Sequence, residues 1–166
     1  MELKLLGSND LEFIIIDRNE EVKPSDIVKH VRVKAVWMGR NYWAGIGNSV
    51  TGLLTTANPT TYSWVEIETY SGWYYCVQFG KPKNITMTRC DSDTDVTACG
   101  LANVGYSAHI KSRIVSVKYS VRVDRKVTMH EVTDFVKRYN ASEGCYNLVS
   151  NNCQHFGKAF YYWIVE

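Results

Sequence analysis

The chain lacks any apolar run of the roughly 18 residues that a membrane-spanning helix needs. It also lacks a clear excess of one charge, since its net charge is only +2 over 166 residues. The basic residues between positions 111 and 126 fall on an alternating pattern with Val and Tyr, which is typical of a half-buried strand with one solvated face. We therefore expect no transmembrane segment and no nucleic acid as the principal partner.

Paired cysteines are missing as well. The five cysteines, at positions 76, 90, 99, 145 and 153, contain no Cys-x-x-Cys pair and leave one over in any complete pairing. Reduced thiols are the simplest account, although Cys90 and Cys99 could close a disulfide in an oxidising compartment. The segment Asp91 to Asp95 lacks the glycine and the closing glutamate of a calcium loop, and the first residues lack the apolar core of a signal peptide. We expect a cytoplasmic protein with no cofactor and no metal.

The hydrophobic content of 45% suits one globular domain over residues 1–166 with a proper core. Alternating and helical patterns predict an α+β fold, with an antiparallel sheet and helices packed on one side. The predicted order is a strand from Leu11 to Asp17, a strand from Val31 to Trp37, a hairpin from Tyr62 to Phe79, a polar loop to about Tyr106, a long strand from Arg113 to Val123, and two helices.

The two helices close the chain. Thr128 and Glu131 have the Thr-x-x-Glu spacing of a capping box, and apolar residues follow at helical spacing up to Tyr139. This first helix is predicted to end in a turn at Asn140 to Gly144. A second apolar stripe at helical spacing is formed by Phe156, Ala159, Phe160, Trp163 and Ile164.

Cys153 stands at the predicted start of the second helix. The unpaired N–H groups and the positive dipole end of a helix N-terminus stabilise an anion, so a thiol there is biased toward the reactive thiolate. The same region could hold an oxyanion through the amides of Cys153, Gln154 or Asn152.

These residues carry a resemblance to a known family. From Val127 to Ile164 the chain resembles the C-terminal half of circularly permuted papain-like proteins, above all the PPPDE peptidases. Their capped helix is followed by a Tyr-Asn-Leu-x-x-Asn-Asn-Cys-x-His-Phe stretch, which here runs from Tyr146 to Phe156. Lecithin:retinol acyltransferase-like proteins of the NlpC/P60 superfamily share a shorter Asn-Cys-Glu-His-Phe version. The resemblance covers the last quarter of the chain and implies a permuted papain-like domain with Cys153 as its nucleophile.

The family places its catalytic histidine upstream, in a hairpin similar to that of Tyr62 to Phe79. This hairpin contains no histidine. The aligned position is Ser63, or Tyr62 with a slip of one residue, and alternation puts Ser63 on the face of Val65 and Ile67, which we expect to point inward. Serine cannot serve as the base that a thiol hydrolase needs near neutral pH.

Four histidines remain elsewhere in the chain. His155 projects about 200° around the helix from Cys153, and we expect it to be structural. His130 lies in the first turn of the capped helix and is predicted to be solvated, while His30 begins a strand as a surface residue. His109 is the candidate for a substitute base.

Two hypotheses from different classes follow. The first is a cysteine-dependent hydrolase or acyltransferase in which Cys153 attacks an amide, isopeptide or ester carbonyl of a protein conjugate or a lipid ester. The second is a catalytically inactive papain-fold descendant, of viral origin in one version, that is a structural or binding protein with a protein partner. The serine at position 63, where the family has its histidine, favours this second hypothesis. A third possibility is that Ser63 is an engineered substitution that inactivates the protein.

Overall fold

The computed structural model describes residues 14–16, 22–37, 61–79, 85–102, 115–143 and 152–166. These residues form six strands and three helices. In chain order they are β1 (Ile14–Ile16), β2 (Val28–Trp37), β3 (Thr61–Thr69), β4 (Tyr74–Phe79), β5 (Ile85–Cys90), α1 (Asp93–Ala102), β6 (Val115–Arg122), α2 (Met129–Glu143) and α3 (Cys153–Val165). None of these helices is long and apolar enough to cross a membrane.

The strands make one sheet in the order β1-β5-β4-β3-β2-β6. All neighbouring pairs are antiparallel except β1 with β5, which are parallel. The predicted hairpin is β3 and β4, and its turn contains Gly72 with a φ of +99°, a conformation that side chains with a Cβ disfavour. The α+β class and the antiparallel sheet are therefore confirmed. That all 166 residues form one domain stays a prediction.

One face of the sheet is covered by α2 and α3. Odd-numbered strand residues such as Val33, Val65 and Val77 point to this side, because successive side chains of a strand alternate between faces. They meet the apolar stripes of the two helices. The buried helix residues are Met129, Val132, Val136 and Tyr139 of α2 and Phe156, Phe160 and Ile164 of α3. The apolar spacing predicted for both helices is confirmed.

The opposite face is covered by α1, so the prediction that the helices pack on one side is wrong. Trp64 and Cys76 point to this second face and form a separate buried cluster with Val96 and Leu101 of α1. Gly100 lets the helix approach, since a Cβ there would lie 2.4 to 2.7 Å from atoms of the Trp64 indole. Tyr62 and Trp64 of β3 lie on this face and are large aromatic side chains, so they need a cover that a one-sided arrangement does not supply.

The predicted polar loop before Tyr106 is also corrected, because it contains β5 and α1. In β5, buried Ile85 and Met87 alternate with Thr86 and Thr88, which is a period of two in a short segment. In α1 only Val96, Gly100 and Leu101 are buried. A helix that buries so few large side chains has almost no amphipathic pattern to read from sequence.

The capping box of α2 is confirmed. The backbone N–H of Thr128 donates to Oε1 of Glu131 (2.8 Å), and the N–H of Glu131 donates back to Oγ1 of Thr128 (3.3 Å). The end of the helix differs from the prediction, because α2 continues to Glu143 through the predicted turn at Asn140. Asn140 is a poor helix residue and a common turn residue, yet it is buried within the last turns of α2.

Candidate functional site

The N-terminus of α3 is built by a reciprocal cap between Asn152 and His155. Asn152 is extended (φ −120°, ψ −172°), and its Oδ1 accepts hydrogen bonds from the N–H groups of Gln154 (2.9 Å) and His155 (3.1 Å). In return, Nδ1 of His155 accepts from the N–H of Asn152 (3.2 Å). The cap starts the helix at Cys153, as the sequence predicted, and makes His155 a structural residue.

Cys153 and Ser63 meet at this point. The backbone N–H of Ser63 lies 3.4 Å from Sγ of Cys153, and the two residues are only 4% and 1% exposed, respectively. Ser63 also points to the inner face with Val65 and Ile67, as the alternation predicted. The fold therefore joins two predicted site residues that are 90 positions apart in the chain.

The Cys153 side chain is almost fully buried. It belongs to the buried cluster on the second face of the sheet, where its companions include Val36, Tyr62 and Trp64. Tyr62, the alternative position for the family's histidine, donates a hydrogen bond from its hydroxyl to Oε1 of Gln78 (2.6 Å). The Tyr62 hydroxyl is therefore engaged in a buried hydrogen bond.

Two of the three amides predicted to hold an oxyanion are already used in the cap. The N–H of Gln154 donates to Oδ1 of Asn152, and the N–H of Asn152 donates to His155. The side chain of Gln154 is also engaged, because its Nε2 donates to the carbonyl oxygen of Thr61 (3.0 Å). This last bond fastens the first turn of α3 to the start of β3.

The other histidines have roles elsewhere. His30 lies in β2 with a partly exposed side chain, and its Nε2 lies 2.8 Å from Oγ of Ser120. Partial burial and the nearby Arg32 lower the pKa of His30. His130 is exposed in the first turn of α2, as predicted, with Nε2 at 3.5 Å from Oδ2 of Asp134. His109, the candidate substitute base, lies outside the described residues.

A groove lies beside the Cys153–Ser63 contact. Its volume is about 260 Å³, and it is bounded by β2, β3, β6 and α3. The residues that line it are Val33, Ser63, Lys118, Tyr119, Gln154 and Lys158. Gly157 lets α3 pack closely on β2 at its base, since a Cβ there would lie 3.0 Å from Cγ1 of Val33. Sequence reasoning did not find this groove, because its walls come from four segments that are distant in the chain.

A buried carboxylate on the opposite face was also missed. Glu66 is fully buried, and its two oxygens accept from Nζ of Lys34 (2.7 Å) and from the guanidinium of Arg32 (2.8 Å). Lys34 also contacts Oγ1 of Thr97 in α1 (3.3 Å). The sequence did contain a signal for this ion pair. Arg32 and Lys34 are two residues apart in β2, and Glu66 and Glu68 have the same spacing in β3, so opposite charges can face each other across the two strands.

Several thiols lie among the described residues, most of them buried. Cys76, Cys90, Cys99 and Cys153 form no disulfide within the described part of the chain. Burial, followed by its contact with Cys99, raises the pKa of Cys76 well above its usual range. Gln78 donates from Nε2 to Sγ of Cys99 (3.5 Å). Among the described residues, no group of His, Cys, Asp and Glu side chains has the arrangement of a metal site.

Comparisons with known proteins identify no family for this chain. No protein-family model, no characterised protein and no solved structure matches the chain.

Proposed function

We propose that this chain is a binding protein on a permuted papain-like framework, in which Cys153 is a structural thiol and not a nucleophile. The observation that carries the proposal is the burial of the Cys153 side chain, which is 1% exposed and belongs to the buried hydrophobic cluster that includes Val36, Tyr62 and Trp64. A nucleophile has to reach a carbonyl carbon, and reactive cysteines occupy partly exposed, electropositive surroundings.

The contacts of the helix start also support this proposal. Catalysis by a thiol needs a base to take its proton and an acid to protonate the leaving group. The position that the family gives to its histidine is occupied by Ser63, whose contact to the sulfur is a backbone N–H. Two of the candidate oxyanion donors, the amides of Gln154 and Asn152, are committed to the cap. On this proposal Asn152 and Cys153 serve to build the start of α3, and the protein acts by binding a protein partner.

One observation favours the second candidate, a cysteine-dependent hydrolase or acyltransferase acting on protein conjugates or lipid esters. Ser63 lies against the sulfur of Cys153, which is where the resemblance would put a catalytic imidazole. Such an enzyme would take its base from another segment, with His109 as the candidate from the sequence.

Alkylation of the native protein distinguishes the two functions. The protein is treated with iodoacetamide at pH 7.0, and each cysteine is quantified by mass spectrometry. We expect Cys153 to remain unmodified together with the fully buried Cys76, whereas the partly exposed Cys99 reacts. Both buried thiols should react after unfolding in guanidinium chloride. If Cys153 is alkylated faster than Cys99 in the native state, the site is activated and the binding-protein proposal fails.

Substitution at Ser63 tests the framework itself. Ser63→His should accelerate alkylation of Cys153 if this hairpin is the ancestral base site, because an imidazole beside the sulfur favours the thiolate. Ser63→Ala is the matched control and should leave the rate unchanged. Equal rates for both variants, with the fold intact by circular dichroism, would mean that the alignment of this hairpin with the family is incorrect.

A further inference from the structure

Two lysines face the groove beside Cys153. Lys118 comes from β6 and Lys158 from α3, one helical turn after Gln154, which lines the same groove. Both lysine side chains are exposed. Within the described part of the chain, neither ammonium has a carboxylate within ion-pair distance, whereas Lys29, Arg32 and Lys34 all do.

A β-bulge directs Lys118 into the groove. Tyr119 pairs with Val33 and Val117 pairs with Lys34, so Lys118 has no opposite residue on β2. An extra residue in one strand breaks the alternation of side chains, and Lys118 and Tyr119 consequently line the same groove although they are neighbours in the chain. Bulges redirect side chains in this way and are frequent beside binding and active sites.

One wall of the groove is stabilised by aromatic stacking. The rings of Tyr119 and Tyr161 are stacked with their centroids 4.5 Å apart and an interplanar angle of 21°. This contact joins β6, which carries Lys118, to α3, which carries Lys158. A groove whose walls are held in place loses little conformational entropy when a ligand binds.

We propose that this groove binds an acidic side chain of a peptide, a carboxylate or a phosphate monoester, between the ammonium groups of Lys118 and Lys158. The inference rests on the proposed function as a protein-binding module. The volume of about 260 Å³ lies below the range of sites for drug-sized ligands and fits one side chain. A nucleic acid backbone would need a longer basic track, and the net charge is only +2.

A fluorescein-labelled hexaglutamate peptide tests the proposal by fluorescence anisotropy at low ionic strength. We expect it to bind, whereas hexaglutamine of the same length should not. The double variant K118Q/K158Q should raise the Kd about 3- to 20-fold, which corresponds to two exposed charge pairs. The matched control is K23Q/K126Q, which removes two exposed lysines outside the groove and should change the Kd less than about twofold.

Three further measurements complete the test. The charge-reversed variant K118E/K158E should bind hexalysine in place of hexaglutamate, which a loss of folding would not produce. Competition by glycine peptides with a single glutamate or a single phosphoserine identifies the preferred anion. Equal weakening by the two glutamine double variants, or tighter binding of an oligothymidylate than of hexaglutamate, would overturn the inference. Rapid alkylation of Cys153 would refute the proposed function and leave this binding result standing, so the two failures are distinguishable.

Discussion

Gly100→Ala tests how α1 is held against the sheet. The added methyl group would lie 2.4, 2.5 and 2.7 Å from three atoms of the Trp64 indole. Carbon atoms in normal contact are about 3.5 to 4.0 Å apart, so α1 or the ring would have to move by about 1 Å. Trp64 is among the largest fully buried side chains, and it has little room to move.

The expected cost combines two opposing terms. Overpacking a well-filled core costs about 1 to 3 kcal/mol, and three close atoms on a rigid ring place this site at the upper end. Alanine is favoured over glycine inside a helix by about 1 kcal/mol. We therefore expect Gly100→Ala to lower the free energy of unfolding by about 2 kcal/mol and the Tm by roughly 4 to 8 °C.

Urea denaturation followed by circular dichroism measures this change. Gly157→Ala is the matched control, because its Cβ would meet one methyl carbon of Val33 at 3.0 Å and the helix gain should nearly cancel the contact. In a Trp64→Phe background, which removes part of the ring system, Gly100→Ala should cost about 1 kcal/mol less. If Gly100→Ala is as stable as the parent, the close docking of α1 on Trp64 is refuted.

Glu66→Gln should lower the free energy of unfolding by about 2 to 3 kcal/mol in urea denaturation, because it leaves Arg32 and Lys34 without their buried counter-charge. An unchanged midpoint would mean that the pair is solvated. The Tyr75 hydroxyl donates to Asp26 (2.8 Å), and burial raises its pKa. The stability that the neutral Tyr75 hydroxyl provides is complete below the pKa of about 10 that tyrosine has in the unfolded chain, and it is lost as the pH rises above that value. Urea midpoints from pH 8 to 11 should therefore fall less steeply for Tyr75→Phe; equal slopes would contradict this.

The C-terminal helices show what a local pattern can predict. The cap at Thr128 and the apolar stripes of α2 and α3 depend on contacts within a few residues, so the sequence contains the whole signal. The same holds for the β3–β4 hairpin and its turn at Gly72. The helix α1 escaped prediction because its docking depends on Gly100 fitting against Trp64, and the two residues are 36 positions apart.

The candidate site was likewise predictable only where its features depend on local sequence. The sequence alone determined that Cys153 begins a helix, that Asn152 precedes it, and that Ser63 faces inward, because capping and alternation are local properties of the backbone. Only the tertiary structure decided that the sulfur is buried against the Ser63 N–H, that the cap consumes two neighbouring amides, and that Lys118 and Lys158 share a groove. These features arise where α3 meets β2, β3 and β6. Burial and charge proximity depend on packing between distant segments, which no local pattern specifies.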